Sequence, residues 1–259
     1  MAMFTGNIYS KALLMDTQLS VIVPHDGRFY EGQGNPKTLI LLHGLSDNSS
    51  VWYRRTAIER YADKYDLTVI MPEVQRSYYN DMLYGHKAYT YIAEELPELI
   101  ESMFKTSIAR EDLMIAGLSM GGYGAIRCAF GNPERFGYCG AFSGAYDIKE
   151  LLNLSVDAAP VIEGFQQDVQ AIFGNEMMVP KEATIPYILQ QAATNQDLPK
   201  LYMTCGTEDF LYPTNIKIRD LCKKLHIDMM YEEWSGGHEW SFWDDSIEKM
   251  LSLVFENKK

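Results

Sequence analysis

DLMIAGLSMGGYGAIRCAF, residues 112–130, decides how the rest of the chain is read. Residues 113–116 are apolar without interruption, residues 121–130 repeat apolar positions at helical spacing, and the change of period falls on one serine, Ser119. Gly-x-Ser-x-Gly alone would arise in roughly one chain in ten of this length at average Gly and Ser usage. The flanks therefore carry the argument. A strand that turns straight into a helix forces the residue at the turn into a strained backbone, and Gly117 and Gly121 remove the side chains that would collide there. Such a turn lifts the Ser119 hydroxyl clear of a sheet, within reach of a base and a substrate. Ser119 is the candidate nucleophile, and a tight structural turn is the alternative.

Outward from that turn, short runs at 19–24, 38–42, 67–71, 113–116, 137–142, 201–205 and 228–234 predict strands, most of them apolar on successive residues. That pattern belongs to strands buried on both faces of a largely parallel sheet. Segments at 51–64, 89–104, 121–130, 216–225 and 244–255 predict helices; within 89–104 the apolar positions are Ile92, Leu96, Leu99, Ile100 and Met103. The alternation predicts a mostly parallel, doubly wound α/β sheet with helices on both faces. It fails between 144 and 199, read as an insertion that either walls the catalytic edge or extends the helical cover. With no repeat or linker in view, residues 1–259 read as a single domain.

A serine hydroxyl is a poor nucleophile near neutral pH and needs a base with an orienting acid. Of His25, His43, His86, His226 and His238, only His238 follows a late strand, in the loop Ser235-Gly236-Gly237, and precedes the final helix. His25 and His226 read as structural, the latter at a helix end where it meets terminal carbonyls. His86 is a minor candidate for a substrate contact. Asp209 stands just past the run 201–205 and is the candidate acid, with its neighbour Glu208 as competitor. The order Ser119, Asp209, His238 is that of an α/β-hydrolase. Two backbone donors are needed for a developing oxyanion: the amide of Met120 at the start of the helix, and that of Leu45 in the loop His43-Gly44-Leu45. His43 reads as a brace of that loop. Trp52, Tyr84, Tyr123 and Trp240 are candidate pocket residues, with core packing as the alternative.

Lys+Arg 23 against Asp+Glu 35 give a net charge of −12, which argues against nucleic acid or an anionic membrane as partner. The opening MAMFTGNIYS lacks a basic start followed by an apolar run, and no stretch is long enough to span a bilayer, so a cytoplasmic address is expected. The cysteines, Cys128, Cys139, Cys205 and Cys222, are widely spaced and read as buried thiols. No nucleotide-binding glycine motif is present, and Phe242 stands where a zinc-protease helix opening at His238-Glu239 would need its second histidine. No metal and no cofactor is expected. The expected partner is a small-molecule ester, and a homo-oligomer is left open.

Together, the HGLSDN loop (43–48) with Trp52, AEELPELI (93–100), GLSMGGYGA (117–125), GTEDFLY (206–212) and GGHEWSFW (236–243) resemble the α/β-hydrolase family of esterase D, S-formylglutathione hydrolase and the bacterial tributyrin esterases. The resemblance runs through nearly the whole chain. It implies Ser119, Asp209 and His238 as a catalytic triad, the Leu45 and Met120 amides as the oxyanion hole, and hydrolysis of short acyl esters, including acetylated sugars. S-formylglutathione hydrolases typically read GHSMGGHGA at the elbow; Leu118 and Tyr123 replace both histidines here, which directs the expectation toward the tributyrin-esterase branch. S-formylglutathione or feruloyl ester hydrolysis, acyl transfer as in the related mycolyltransferases, and a silent ligand-binding member are the alternatives.

Overall fold

The computed structural model describes residues 1–24, 35–154 and 162–256. The turn expected at His25 lies outside them. An eight-stranded sheet runs in the order β1-β2-β4-β3-β5-β6-β7-β8. Its strands are β1 (Ala2–Ser10), β2 (Met15–Val23), β3 (Lys37–Leu42), β4 (Leu67–Pro72), β5 (Leu113–Leu118), β6 (Tyr138–Phe142), β7 (Lys200–Gly206) and β8 (Met229–Trp234). β1 with β2 and β2 with β4 are antiparallel, and every other pairing is parallel. Each expected strand is present, and β1 is added to them. Its sequence AMFTGNIYS is exposed across 4–7, so neither alternation nor a continuous apolar run marked it.

The central strands are apolar at successive residues because both faces are covered. Ile40 and Leu42 of β3 point into one core with Ile115 of β5, whereas Leu39 and Leu41 join the opposite core with Met114 and Leu118. Burial of each such side chain is worth about 1.5–3 kcal/mol relative to exposure. The first core is roofed by α3, at 88–104, and α4 (Met120–Gly131); the second by α1 (Val51–Arg55), α2 (Ile58–Tyr65) and α9 (Trp240–Glu256). α3 contains a π-helical turn, Tyr91–Glu95, between its α-helical parts.

The helix expected at 51–64 is broken between α1 and α2. Thr56 is extended there, its hydroxyl donates back to Trp52 O at 2.6 Å, and Asp244 of α9 takes the Ala57 amide at 2.9 Å. A carboxylate distant in sequence thus holds the break open. The expected insertion leaves β6 and returns at β7 through α5 (Ile148–Leu152), α6 (Phe165–Phe173), a 3-10 turn (Lys181–Ala183) and α7 (Ile185–Ala192). It is tied to the loop after β4: the amides of Leu83 and Tyr84 both donate at 2.9 Å to the carbonyls of Ile172 and Ala171. Arg76 also donates to Asp168 at 2.8 Å. α8 (Tyr212–Lys224) covers β7 and β8.

Candidate active site

Ser119 joins β5 to α4 at φ 53 and ψ −117, a backbone region that costs a non-glycine residue on the order of 1–3 kcal/mol. Close packing enforces it. A Cβ on Gly117 would lie 2.5 Å from the Gly121 carbonyl, and one on Gly121 would lie 2.6 Å from Leu42 O at the end of β3. The Ser119 amide donates to Phe142 O at 2.9 Å, and its carbonyl accepts from Gly122 at 3.0 Å and Ala145 at 3.0 Å. The backbone is pinned on both sides while, among the described residues, the hydroxyl carries no hydrogen bond.

His238 Nδ1 lies 2.9 Å from Asp209 Oδ2. Paired with a carboxylate, that nitrogen carries the proton, so Nε2 presents a free lone pair. The other Asp209 oxygen accepts from the Leu211 amide at 2.8 Å, and the carboxyl is buried. The imidazole is held between two rings, Phe210 and Trp243, each with its centroid 4.8 Å away, and the Trp243 indole donates to Ser143 Oγ at 3.1 Å. Asp209 and not Glu208 meets His238. The Glu208 carboxylate is exposed and turned to the Gly236 amide at 2.5 Å.

Leu45, Met120 and Ser119 line one small cavity of about 10 Å³, closed by Tyr78, Ala145, Leu151, Ile162, Phe210 and Leu211. Among the described residues neither the Leu45 nor the Met120 amide donates a hydrogen bond, so both donors are unspent beside the serine. The loop bearing Leu45 is braced by His43, as expected: its Nδ1 meets Gly44 O at 2.8 Å and its Nε2 accepts from the Val74 amide at 3.2 Å. Both bonds are satisfied at once by the neutral ring protonated on Nδ1. Asp47 closes the same turn, and its desolvation pushes the carboxyl above the usual range, against the pull of the Gly44 amide and Arg55 and, at pH low enough to protonate the rings, of His43 and His238.

None of the expected pocket residues lines this cavity. Trp52 is fully buried, donates to Leu42 O at 2.9 Å and packs edge-on against Trp240 at 5.4 Å, so both belong to the second core. Tyr123 is buried under Tyr78 at 4.9 Å and donates to Ala183 O at 2.5 Å. Tyr84 is 62% exposed. Ala145, Leu151 and Ile162 of the lining come from the stretch 144–199, one reading of which was a wall at the catalytic edge; Tyr78, Phe210 and Leu211 were not expected in the pocket, and only the last two, beside Asp209, had a local cue. Tyr78 and Tyr79 are both left-handed, at φ 52 and 50, and donate to Ala145 O and His43 O at 2.7 and 2.9 Å.

His86 faces Val74 O at 3.4 Å and lines a different space, a groove of about 1040 Å³ shared with the β1–β2 turn and α3. That groove is far larger than the cavity at Ser119 but contains none of Ser119, Asp209 or His238. Size does not mark the chemistry here. His226 stands two residues past the end of α8 at φ 56, its amide donating to Lys223 O at 3.2 Å. Among the described residues no three His, Cys, Asp or Glu side chains converge to hold a metal ion.

Comparison with known proteins adds four findings. A family model described as putative esterase matches residues 10–254. An acetyl esterase of Caldicellulosiruptor saccharolyticus is 30% identical over 268 residues, covering 99% of this chain and 97% of its own. Among solved structures, the substrate-bound fluorophosphonate-binding serine hydrolase F of Staphylococcus aureus superimposes with a TM-score of 0.87 at 34% identity over 98% of both chains. The S-formylglutathione hydrolase FrmB of Staphylococcus aureus gives 0.85 at 34%, again over 98% of both.

Proposed function

The chain belongs to the esterase family, a carboxylic ester hydrolase of α/β-hydrolase fold, and we propose that Ser119, His238 and Asp209 are its catalytic triad, acting on short-chain acyl esters. The observation that carries this reading is the 2.9 Å His238–Asp209 pair on the same sheet edge as a strained serine flanked by two unspent amides. His238 Nε2 takes the Ser119 proton as Oγ attacks the ester carbonyl. The carbonyl oxygen gains charge and is met by the amides of Leu45 and Met120, the latter at the positive end of α4. Asp209 stabilises the imidazolium, which then protonates the departing alcohol; a water deprotonated by His238 hydrolyses the acyl-enzyme.

The apolar side chains of Leu151, Ile162 and Leu211 crowd the space beside Ser119, which supports a short acyl group in preference to a long chain. A cytoplasmic address is part of the same proposal, supported by four cysteines that are all buried and unpaired, the pattern of a reducing compartment. Among the described residues no helix is long and apolar enough to cross a membrane. S-formylglutathione is the second reading, favoured by the 34% identity to FrmB.

Ser119→Ala is expected to lower hydrolysis of p-nitrophenyl acetate by on the order of 10⁴-fold or more with the circular dichroism spectrum unchanged. A variant within tenfold of the parent would overturn the triad. An acyl series from acetate to octanoate, with S-formylglutathione alongside, decides between the two substrate readings by kcat/KM.

A further inference from the structure

Two carboxylates stand side by side at the end of β7, and the triad uses one. Glu208 spends its side chain on main chain: Oε2 accepts the Gly236 amide at 2.5 Å, while its own amide donates to Gly236 O at 3.2 Å. The Gly236 peptide unit is bracketed by one residue. The neighbouring bonds follow the same route, with Thr207 N donating to Trp234 O at 3.0 Å and the Thr207 hydroxyl holding Glu208 Oε1 at 2.8 Å. Packing brings the segments this close because neither glycine carries a side chain: a Cβ on Gly206 would lie 2.0 Å from Gly236 O. Gly236 itself is at φ 157, a conformation side chains resist.

Two residues later the chain delivers His238. The position between them is not held by packing, since a Cβ on Gly237 would meet nothing within 4 Å. Restraint on the loop therefore falls on the Gly236 peptide, with Glu239 Oε1 taking the Gly237 amide at 3.1 Å. We propose that Glu208 is a positioning residue for the reaction: by gripping Gly236 while the adjacent Asp209 grips the imidazole, it sets where His238 Nε2 stands relative to Ser119. This rests on the reading of His238 as the base. The Gly236 amide, with the Thr207 hydroxyl, also holds the Glu208 carboxyl below the usual range, so it stays ionised wherever the enzyme is assayed. Its effect on rate is accordingly constant through the neutral and alkaline range.

Glu208→Ala removes the grip and Glu208→Gln keeps an oxygen that accepts from Gly236. A displaced base loses rate without losing substrate affinity, and misplacement by about 1 Å can cost about a hundredfold. Expected for Glu208→Ala is a fall in kcat of about tenfold with KM within about twofold, the same ratio to the parent at every pH from neutral upward, and a melting temperature within about 2 °C. The Gln variant is expected to recover most of the rate. An organophosphate titration should label the same fraction of Ser119 in all three proteins. Parental kcat in Glu208→Ala, a Gln variant as slow as Ala, or a loss carried by KM or by fewer titratable sites would overturn the proposal. Ser119→Ala run beside them separates the two failures: if it stays active the triad is wrong, and if it is inactive while Glu208→Ala keeps the parental kcat, only the role of Glu208 is.

Discussion

Asp47 shows how a single residue near the site can oppose the stability of the fold. Its turn, closed by Asp47 N donating to Gly44 O at 3.2 Å, presses the carboxyl against Gly44, where a Cβ would lie 2.8 Å from Oδ2. Desolvation raises its pKa above 3.8 more strongly than His43, the Gly44 amide, Arg55 and His238 together lower it. The folded state therefore binds more protons than the unfolded state between 3.8 and the raised value, and stability falls as pH rises through that window. At neutral pH the ionised group is a net cost, a pattern common where a site is kept for function. Asp47→Asn keeps an oxygen for Gly44 and removes the charge. Its melting temperature at neutral pH should exceed the parent's by about 2–4 °C, with the gap closing below pH 3.8. A less stable Asn variant at neutral pH would show that the Gly44 hydrogen bond and the attraction to Arg55 outweigh the desolvation.

At the scale of elements, α5 is short but firmly started: Asp147 Oδ1 accepts the amides of Lys149 and Glu150, each at 3.0 Å. That cap points Leu151 at the cavity beside Ser119. Leu151→Ala should therefore lengthen the acyl group accepted, moving the kcat/KM optimum from acetate toward butyrate or hexanoate, for a stability loss of about 2–4 kcal/mol. An optimum still at acetate would place the acyl limit elsewhere in the wall. Leu151 also shows where sequence reading stops. β3, β5 and the elbow were legible because burial on both faces and the strand-to-helix switch are local patterns, and Asp209 and His238 followed as strand-end residues. The break at Thr56–Ala57 depends on Asp244 of α9, and the cavity depends on Tyr78, Leu151, Ile162 and Phe210 meeting across the fold; neither leaves a period in the chain. β1 escaped notice for a related reason, since an edge strand exposed over 4–7 has no apolar face to reveal it.

For the molecule as a whole, the −12 charge bears on which ester reaches the site. Glu208 and Glu239 hold the Gly236 and Gly237 amides next to His238, Asp209 pairs with its ring, and Asp47 interacts with both His238 and Arg55. A neutral ester such as triacetin feels none of this field, but S-formylglutathione carries net negative charge and is repelled on the way in. Screening extends to about 30 Å at 0.01 M salt and about 8 Å at 0.15 M. Raising the salt over that range should therefore lift kcat/KM for S-formylglutathione by about two- to fivefold and leave triacetin unchanged. The opposite response, a thioester rate that falls with salt, would mean that a local cationic funnel overrides the net charge. In that case the 34% identity to the S-formylglutathione hydrolase would become the better guide to substrate, despite Leu118 and Tyr123 at the elbow.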